Sequence, residues 1–201
     1  MKIYLARHGQ SRWQLTKDDE DWDSPLTELG QEQARALGRW LAEHGALDAD
    51  SRLEVGRIRV SPLVRAQQTA VPVAEALGRP VTTDPHLHEA DFYVSAHLPA
   101  TESPYQAQPV YTPPPIYAQF KQQATTALHA LVADAEADGG AVLGIAHGGL
   151  ISTLLRTAVG SDAVSFWIYN ATLNLIEWKR GRWHLVYLNL WDHLPPNRRT
   201  F

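Results

Sequence analysis

Apolar and polar residues along this chain follow two rhythms, one of period two and one close to 3.6. Lys2 to Ala6 alternates, with Ile3 and Leu5 flanked by Tyr4 and Ala6, and predicts a short buried strand. Arg12 to Ser24 holds no period and reads as a loop. Thr27 is then a candidate N-cap for a helix carrying Gly30, Ala34, Leu37 and Leu41 on one face and ending near His44-Gly45. A second strand, Arg57 to Val60, breaks into Ser61-Pro62. Ser61 is expected to cap, and Pro62 to open, a helix running to about Gly78 with Ala66, Thr69, Ala70, Val73 and Leu77 inward.

A third short strand spans Val81 to Thr83. Phe92 to Pro115 is irregular, with Tyr93, Tyr105, Tyr111 and prolines at 99, 104, 109, 113, 114 and 115. A structureless stretch of that length in a compact domain is usually functional, and it reads as a cap over a site. Ile116 to about Asp138 repeats apolar positions at helical spacing until Gly139-Gly140. The wholly apolar Ala141 to Ala146 predicts a central strand buried on both faces. It breaks into His147-Gly148-Gly149, followed by a helix from Leu150 to about Val159. Ala171 to Trp178 and Trp183 to Leu190 alternate around Lys179-Arg180-Gly181-Arg182 and predict a β-hairpin. Asp192 to Phe201 is a short polar tail. No repeat or linker divides the chain, so a single domain over 1–201 is expected, with 90–120 as an inserted cap segment.

Composition narrows the function. The 201 residues are 44% hydrophobic and 20% charged, enough for one sizeable core. A net charge of −4 argues against a nucleic-acid or anionic-membrane surface, so a bound anion must be held by a few local cations. With no cysteine, thiol nucleophiles, disulfides and Cys-ligated metals are excluded. No leader pattern and no apolar run of membrane length is visible, and a cytoplasmic location is the default expectation.

Four strand ends deliver polar residues: Arg7-His8-Gly9, Arg65, Glu89 and His147. Each alone has an ordinary explanation. Arg7 and Arg65 can be solvated surface cations, His8 and His147 buried and bonded imidazoles, and Glu89 a loop carboxylate. Carboxyl ends of strands in open α/β sheets are nevertheless where ligands bind. Gly9 lets backbone approach a ligand without a Cβ, and Gly148-Gly149 offers N–H groups at a helix start, a natural anion site. Together, two guanidiniums and an imidazole can clamp phosphoryl oxygens while a second imidazole attacks and a carboxylic acid protonates the leaving group. His86 and His88 alternate as metal ligands do, but lack companions, and neither metal nor cofactor is expected.

The chain resembles the histidine phosphatase superfamily, the phosphoglycerate-mutase-like proteins. The resemblance rests on RHGQS at 7–11, LTELGQEQA at 26–34, SPLVRAQQTA at 61–70, LHE at 87–89, AHGG at 146–149 and the closing hairpin. It covers nearly all of the chain outside roughly 90–120. It implies a three-layer α/β sandwich, a mostly parallel sheet with helices on both faces. It implies His8 as the phosphorylated nucleophile, Arg7, Arg65 and His147 as phosphoryl ligands, and Glu89 as proton donor. Gly9, Gln10, Ser11, Gln14 and Gly148 complete the expected substrate pocket. Gln10 and Gln14 depart from the usual family residues, and ADFYVSAH after Glu89 lacks the mutase pattern.

The expected partner is a small phosphorylated substrate. Between Arg79 and Lys121 there is no Lys or Arg. A mutase or bisphosphatase needs cations for a second anionic group, so this gap favours a metal-independent monophosphatase with a neutral, apolar or aromatic leaving group. Phosphoglycerate mutase or sugar-phosphate phosphatase is the alternative within the family. A catalytically idle phosphate-binding module is the alternative outside it. Exposed tryptophans raise the further expectation of a homodimer.

Overall fold

A computed structural model describes residues 1–17, 22–44 and 55–201. Gly45, where the second helix was expected to end, lies outside them, as do residues 18–21 of the expected loop. The strands are β1 (Lys2–Arg7), β2 (Ile58–Val60), β3 (Val81–Thr83), β4 (Ala141–Ala146), β5 (Leu173–Lys179) and β6 (Arg182–Leu190). The helices are α1 (Arg12–Thr16), α2 (Glu28–His44), α3 (Val64–Leu77), α4 (Pro115–Ala137) and α5 (Gly148–Val159). The sheet order is β3-β2-β4-β1-β5-β6. The β3-β2, β2-β4 and β4-β1 pairs are parallel, and β5 and β6 add an antiparallel edge.

The alternation in β1 explains the layering. Ile3 and Leu5 point into a core made with α4 and α5, where Tyr117, Leu131, Ile151 and Leu154 are buried. Tyr4 and Ala6 point into the opposite core, made with α2 and α3 around Leu37, Leu41, Ala66 and Val73. A central parallel strand is thus apolar on both faces because helices cover both. In β2, Ile58 and Val60 join the second core. Arg59 turns to the other face and bridges Asp134 of α4 (2.5 Å) and Asp84 (3.1 Å).

Three local expectations change. Arg12–Thr16 is helical rather than loop, because Gln14 Oε1 accepts from the Ser11 N–H at 2.9 Å and closes a capping box. α3 begins at Val64 with Leu63 as its N-cap, not at Pro62. The Ser61 hydroxyl accepts from the Leu63 N–H at 3.3 Å, just ahead of the helix, and also meets His147 Nε2 at 2.7 Å. α5 begins at Gly148 with His147 as N-cap, two residues before Leu150. Thr27 does cap α2, its Oγ1 accepting from the Gly30 N–H at 3.0 Å. The hairpin turns on Arg180 and Gly181, both at positive φ (53° and 74°), which a two-residue turn between twisted strands requires.

The 92–114 stretch carries only a 3₁₀ turn at Val94–His97. Phe92, Leu98 and Tyr111 tuck against the α4/α5 core, and the Tyr111 hydroxyl bonds the His97 carbonyl. Tyr105 and Val110 are fully exposed. The cation-free segment therefore folds partly onto the body rather than standing clear of it.

Candidate active site

Arg7, His8, Arg65 and Glu89 reach the same place by short routes from the sheet. Arg7 is the last residue of β1 and His8 follows it; Arg65 sits in the first turn of α3, just beyond β2. Glu89 lies beyond the 3₁₀ turn Pro85–Leu87 that follows β3, and His147 caps α5 directly after β4. Arg7, His8, Arg65, Glu89 and Gly148 line one cleft of about 850 Å³ over the carboxyl ends of the parallel strands.

His8 is 3% exposed, and its tautomer follows from its neighbours. Nδ1 lies 2.6 Å from the Gly9 carbonyl, an acceptor only, so Nδ1 carries the proton. Arg65 Nε donates to His8 Nε2 at 3.2 Å, which requires an unprotonated Nε2. Both contacts agree on a neutral imidazole with its lone pair on Nε2. Burial, then the charges of Arg7 and Arg65, hold its pKa well below the ordinary value.

Arg7 is similarly desolvated, its pKa lowered to about 10, chiefly by burial. Its Nη1 donates to the Ile168 carbonyl at 2.5 Å, while Nε is buried without a hydrogen-bond partner. Arg65 Nη1 donates to the Trp22 carbonyl at 2.7 Å. Each guanidinium is also overlain by a ring: Arg7 by Phe201 at 5.4 Å and Arg65 by Trp22 at 5.2 Å.

Glu89 changes one expectation. The N–H groups at the start of α5 are already occupied. Gly149 N donates to Glu89 Oε2 and Leu150 N to Oε1, each at 2.9 Å, and Ala90 N donates to Oε1 at 3.0 Å. The anion site there is filled by the protein's own carboxylate. A Cβ on Gly149 would stand 2.7 Å from Glu89 Oε1, so glycine here lets the carboxylate sit in this position. Burial pushes the Glu89 pKa up, against the backbone N–H bonds and the two arginines, which favour the ionised form.

His147 does not line the cleft. It is wholly buried, its ring centroid 5.0 Å from that of His8, with Nε2 2.7 Å from Ser61 Oγ and Nδ1 without a partner. Burial keeps it neutral by lowering its pKa well below the ordinary value. Gly9 and Gln10 also lie off the cleft. A Cβ on Gly9 would meet the Gly30 carbonyl at 2.4 Å, so this glycine allows the loop to lie on α2 rather than admitting a ligand. The Gln10 side chain accepts from the Thr27 hydroxyl at 2.9 Å. Ser11 and Gln14 do line the cleft, and Gln14 also pairs amide to amide with Asn170 at 3.0 and 3.1 Å.

Other residues support or line the cleft. Asn170, fully buried, donates to the His8 carbonyl at 3.2 Å and so steadies the loop bearing the imidazole. The rim is aromatic: Trp13, Trp22, Phe92, Tyr93, Phe166, Trp167 and Phe201. Arg156 of α5 reaches the wall, but it is 1% exposed and donates to Tyr117 Oη, Ser152 Oγ and Thr153 Oγ1 at 2.7–2.9 Å. Phe92 and Tyr93 lie in the stretch expected to cap a site, whereas Trp13, Trp22, Phe166 and Phe201 come from distant segments that no local pattern marks.

Residues 3–190 match the model of the histidine phosphatase superfamily, branch 1. A probable phosphoglycerate mutase, GpmB, of Yersinia pestis is 34% identical over 100 residues, which are 49% of this chain and 42% of that protein. The match therefore spans less than half the length of this curated relative. Among solved structures, YhfR of Bacillus stearothermophilus gives a TM-score of 0.71 at 24% identity, covering 96% of this chain and 98% of its own. A mycobacterial glucosyl-3-phosphoglycerate phosphatase complexed with VO3 gives 0.70 at 23%, covering 94% and 99%. A phosphoserine phosphatase of Entamoeba histolytica gives 0.71 at 18%, covering 96% and 99%. At these identities the likeness is one of fold.

Proposed function

The chain belongs to the histidine phosphatase superfamily, and on that footing we propose that it hydrolyses phosphate monoesters through a phosphohistidine at His8. The observation that carries this is the neutral His8, its Nε2 lone pair facing Arg65 in a cleft that also holds Arg7 and Glu89.

In the first step the phosphoryl group enters between Arg7 and Arg65. Its oxygens take the Arg65 Nε–H away from His8 and give the orphan Arg7 Nε–H a partner. His8 Nε2 then forms a bond to phosphorus as the ester P–O bond breaks. The departing oxygen takes a proton from Glu89, whose pKa burial raises above the ordinary carboxyl value. In the second step Glu89, now ionised, removes a proton from water. That water attacks phosphorus, the N–P bond breaks, and inorganic phosphate leaves with His8 neutral again. The arginines stabilise the charge on the non-bridging oxygens in both steps. His147 acts from behind, packed against the reacting imidazole.

We infer a leaving group that is neutral and apolar or aromatic. The rim is aromatic, residues 80–120 bring no Lys or Arg, and Asp91 places a carboxylate on the cleft wall. Arg156 does not offset this, since three hydroxyls engage its guanidinium. Residues 90–120 act as the cap in this reading, with 92–95 and Leu98 facing the cleft. Phosphoglycerate mutase, the function in the name of the curated relative, is the second reading. A homodimer seated on the exposed Trp178, Leu185 and Val186 of the hairpin belongs to the proposal too, and the solution mass tests it.

The experiment is phosphate release, with chelator present, from p-nitrophenyl phosphate, 3-phosphoglycerate, a sugar bisphosphate and a phosphotyrosine peptide, each repeated with His8→Ala. Release that needs His8 and is fastest on aromatic esters is expected. Preference for 3-phosphoglycerate or the bisphosphate overturns the leaving-group inference. Absence of His8-dependent release from all four overturns the hydrolase.

A further inference from the structure

The segment beyond β6 is polar in sequence, yet Arg198, Thr200 and Phe201 are bonded to residues that support the site. Gln33 Nε2 donates to the Arg198 carbonyl at 2.7 Å and to Thr200 Oγ1 at 2.9 Å. Asn170 N donates to the Thr200 carbonyl, and the Thr200 hydroxyl donates to Asn170 Oδ1, both at 3.0 Å. Gln14 Nε2 donates to the Phe201 carbonyl at 2.9 Å.

The same three amides hold the loop that bears the nucleophile. Gln33 Oε1 accepts from the Gln10 N–H at 2.8 Å, Asn170 Nδ2 donates to the His8 carbonyl, and Gln14 Oε1 accepts from the Ser11 N–H. The Phe201 ring is therefore registered against the catalytic loop by the bonds that register the loop itself. It stands 5.4 Å from Arg7 Cζ, meets Trp167 and Tyr169 at 5.6 and 5.2 Å, and remains 59% exposed on the cleft.

We propose that Phe201 is a specificity-determining residue: its ring, held over Arg7, packs against the leaving group of a planar aromatic phosphate monoester. The inference rests on the monoester reading of the cleft and narrows its substrate class. A phosphoryl group on Arg7 lies next to this ring, and the leaving group is only one ester oxygen further out. With its main chain bonded and its ring resting on Trp167 and Tyr169, Phe201 loses less freedom when the ligand arrives, a condition that favours affinity from a stacked pair. If the ring served only to shield Arg7 from water, its loss would weaken every phosphorylated ligand alike.

Binding separates these cases and does not depend on turnover. Phenyl phosphate and inorganic phosphate are titrated calorimetrically into His8→Ala protein carrying Phe201, Phe201→Leu or Phe201→Trp, with melting temperatures checking that each variant is folded. The ratio of phenyl phosphate to phosphate affinity is expected to fall roughly three- to tenfold in Phe201→Leu, the range of an aromatic pair, and to be retained in Phe201→Trp. An unchanged ratio in Phe201→Leu, or equal weakening of both ligands, overturns the proposal. Failure of the hydrolase reading would appear separately, as absent phosphate release with phenyl phosphate still bound. If Phe201-bearing protein binds phosphate but not phenyl phosphate, the proposal falls.

Discussion

The two ends of the cleft are built on opposite terms. The phosphoryl end consists of Arg7, His8, Arg65 and Glu89, set on strand ends or the turns just beyond them, with His8 and Arg65 only 3% exposed. The leaving-group end consists of Trp13, Trp22, Tyr93, Trp167 and Phe201; Trp13 sits on the short α1 and the rest on irregular segments, and Tyr93 and Trp167 are 76% and 67% exposed. Charge sits where the sheet fixes it and water is scarce, which strengthens every electrostatic contact. Aromatic area sits where a segment can change without moving the sheet. In this division the chemistry belongs to the strands and the choice of substrate to the rim.

The division breaks first at His8. His8→Ala is expected to lower turnover at least ~10⁴-fold on every ester, as for loss of a catalytic nucleophile; an effect confined to one ester would contradict it. Glu89→Gln should cost roughly 10²–10⁴-fold on an alkyl phosphate, the span of general-acid catalysis, but much less on p-nitrophenyl phosphate, whose leaving group needs no proton. The sign of the pH effect follows from the raised Glu89 pKa. The donor is lost as pH rises through that value, so single-turnover phosphoryl transfer from alkyl phosphates should decline on the alkaline side, and the decline should vanish in Glu89→Gln. Arg65→Ala should cost about 100-fold on aromatic and alkyl esters alike, comparable with removing one oxyanion donor. A cost that varies with the leaving group would move Arg65 to the other end of the comparison.

Two smaller effects concern the support beneath. Gly9→Ala drives a Cβ to 2.4 Å from the Gly30 carbonyl, and overpacking of this kind costs about 1–3 kcal/mol in denaturant unfolding. His193, whose Nε2 meets the Ala171 carbonyl, has its pKa lowered to about 4 by burial. The unfolded chain therefore binds the proton that the folded chain refuses. The stability this residue contributes is complete above an unfolded pKa of 6.5 and is lost as pH falls toward 4, so the melting temperature should drop across that window. A flat melting temperature there contradicts the assignment.

Much of the strand-end half of this site was legible in the chain because Arg7-His8 and His147 each follow directly on an apolar run. Arg7-His8 after Ile3 to Ala6, and His147 after Ala141 to Ala146, announce themselves locally, and the three layers follow from strands apolar on both faces. Ser61 was misread as a cap because its local context is a good one, while its bond to His147 spans 86 residues. Gly9 looked like a ligand-facing glycine because nothing in its own segment shows that Gly30 lies against it. The helix start at Gly148-Gly149 was read as an anion site for substrate, whereas the N–H groups of Gly149 and Leu150 hold Glu89, which comes from another strand end. Trp22 and Phe201 were invisible for the same reason: long-range packing brings them in, and no periodicity encodes that.

The central claim is a covalent one, and intact-mass measurement after rapid mixing with p-nitrophenyl phosphate tests it most directly. An alkaline quench preserves a phosphoramidate. The expected result is protein heavier by one phosphoryl group, with the label on the peptide containing His8, acid-labile, and absent from His8→Ala. Phosphate release with no such species at any mixing time, or a label on a residue other than His8, would contradict the account.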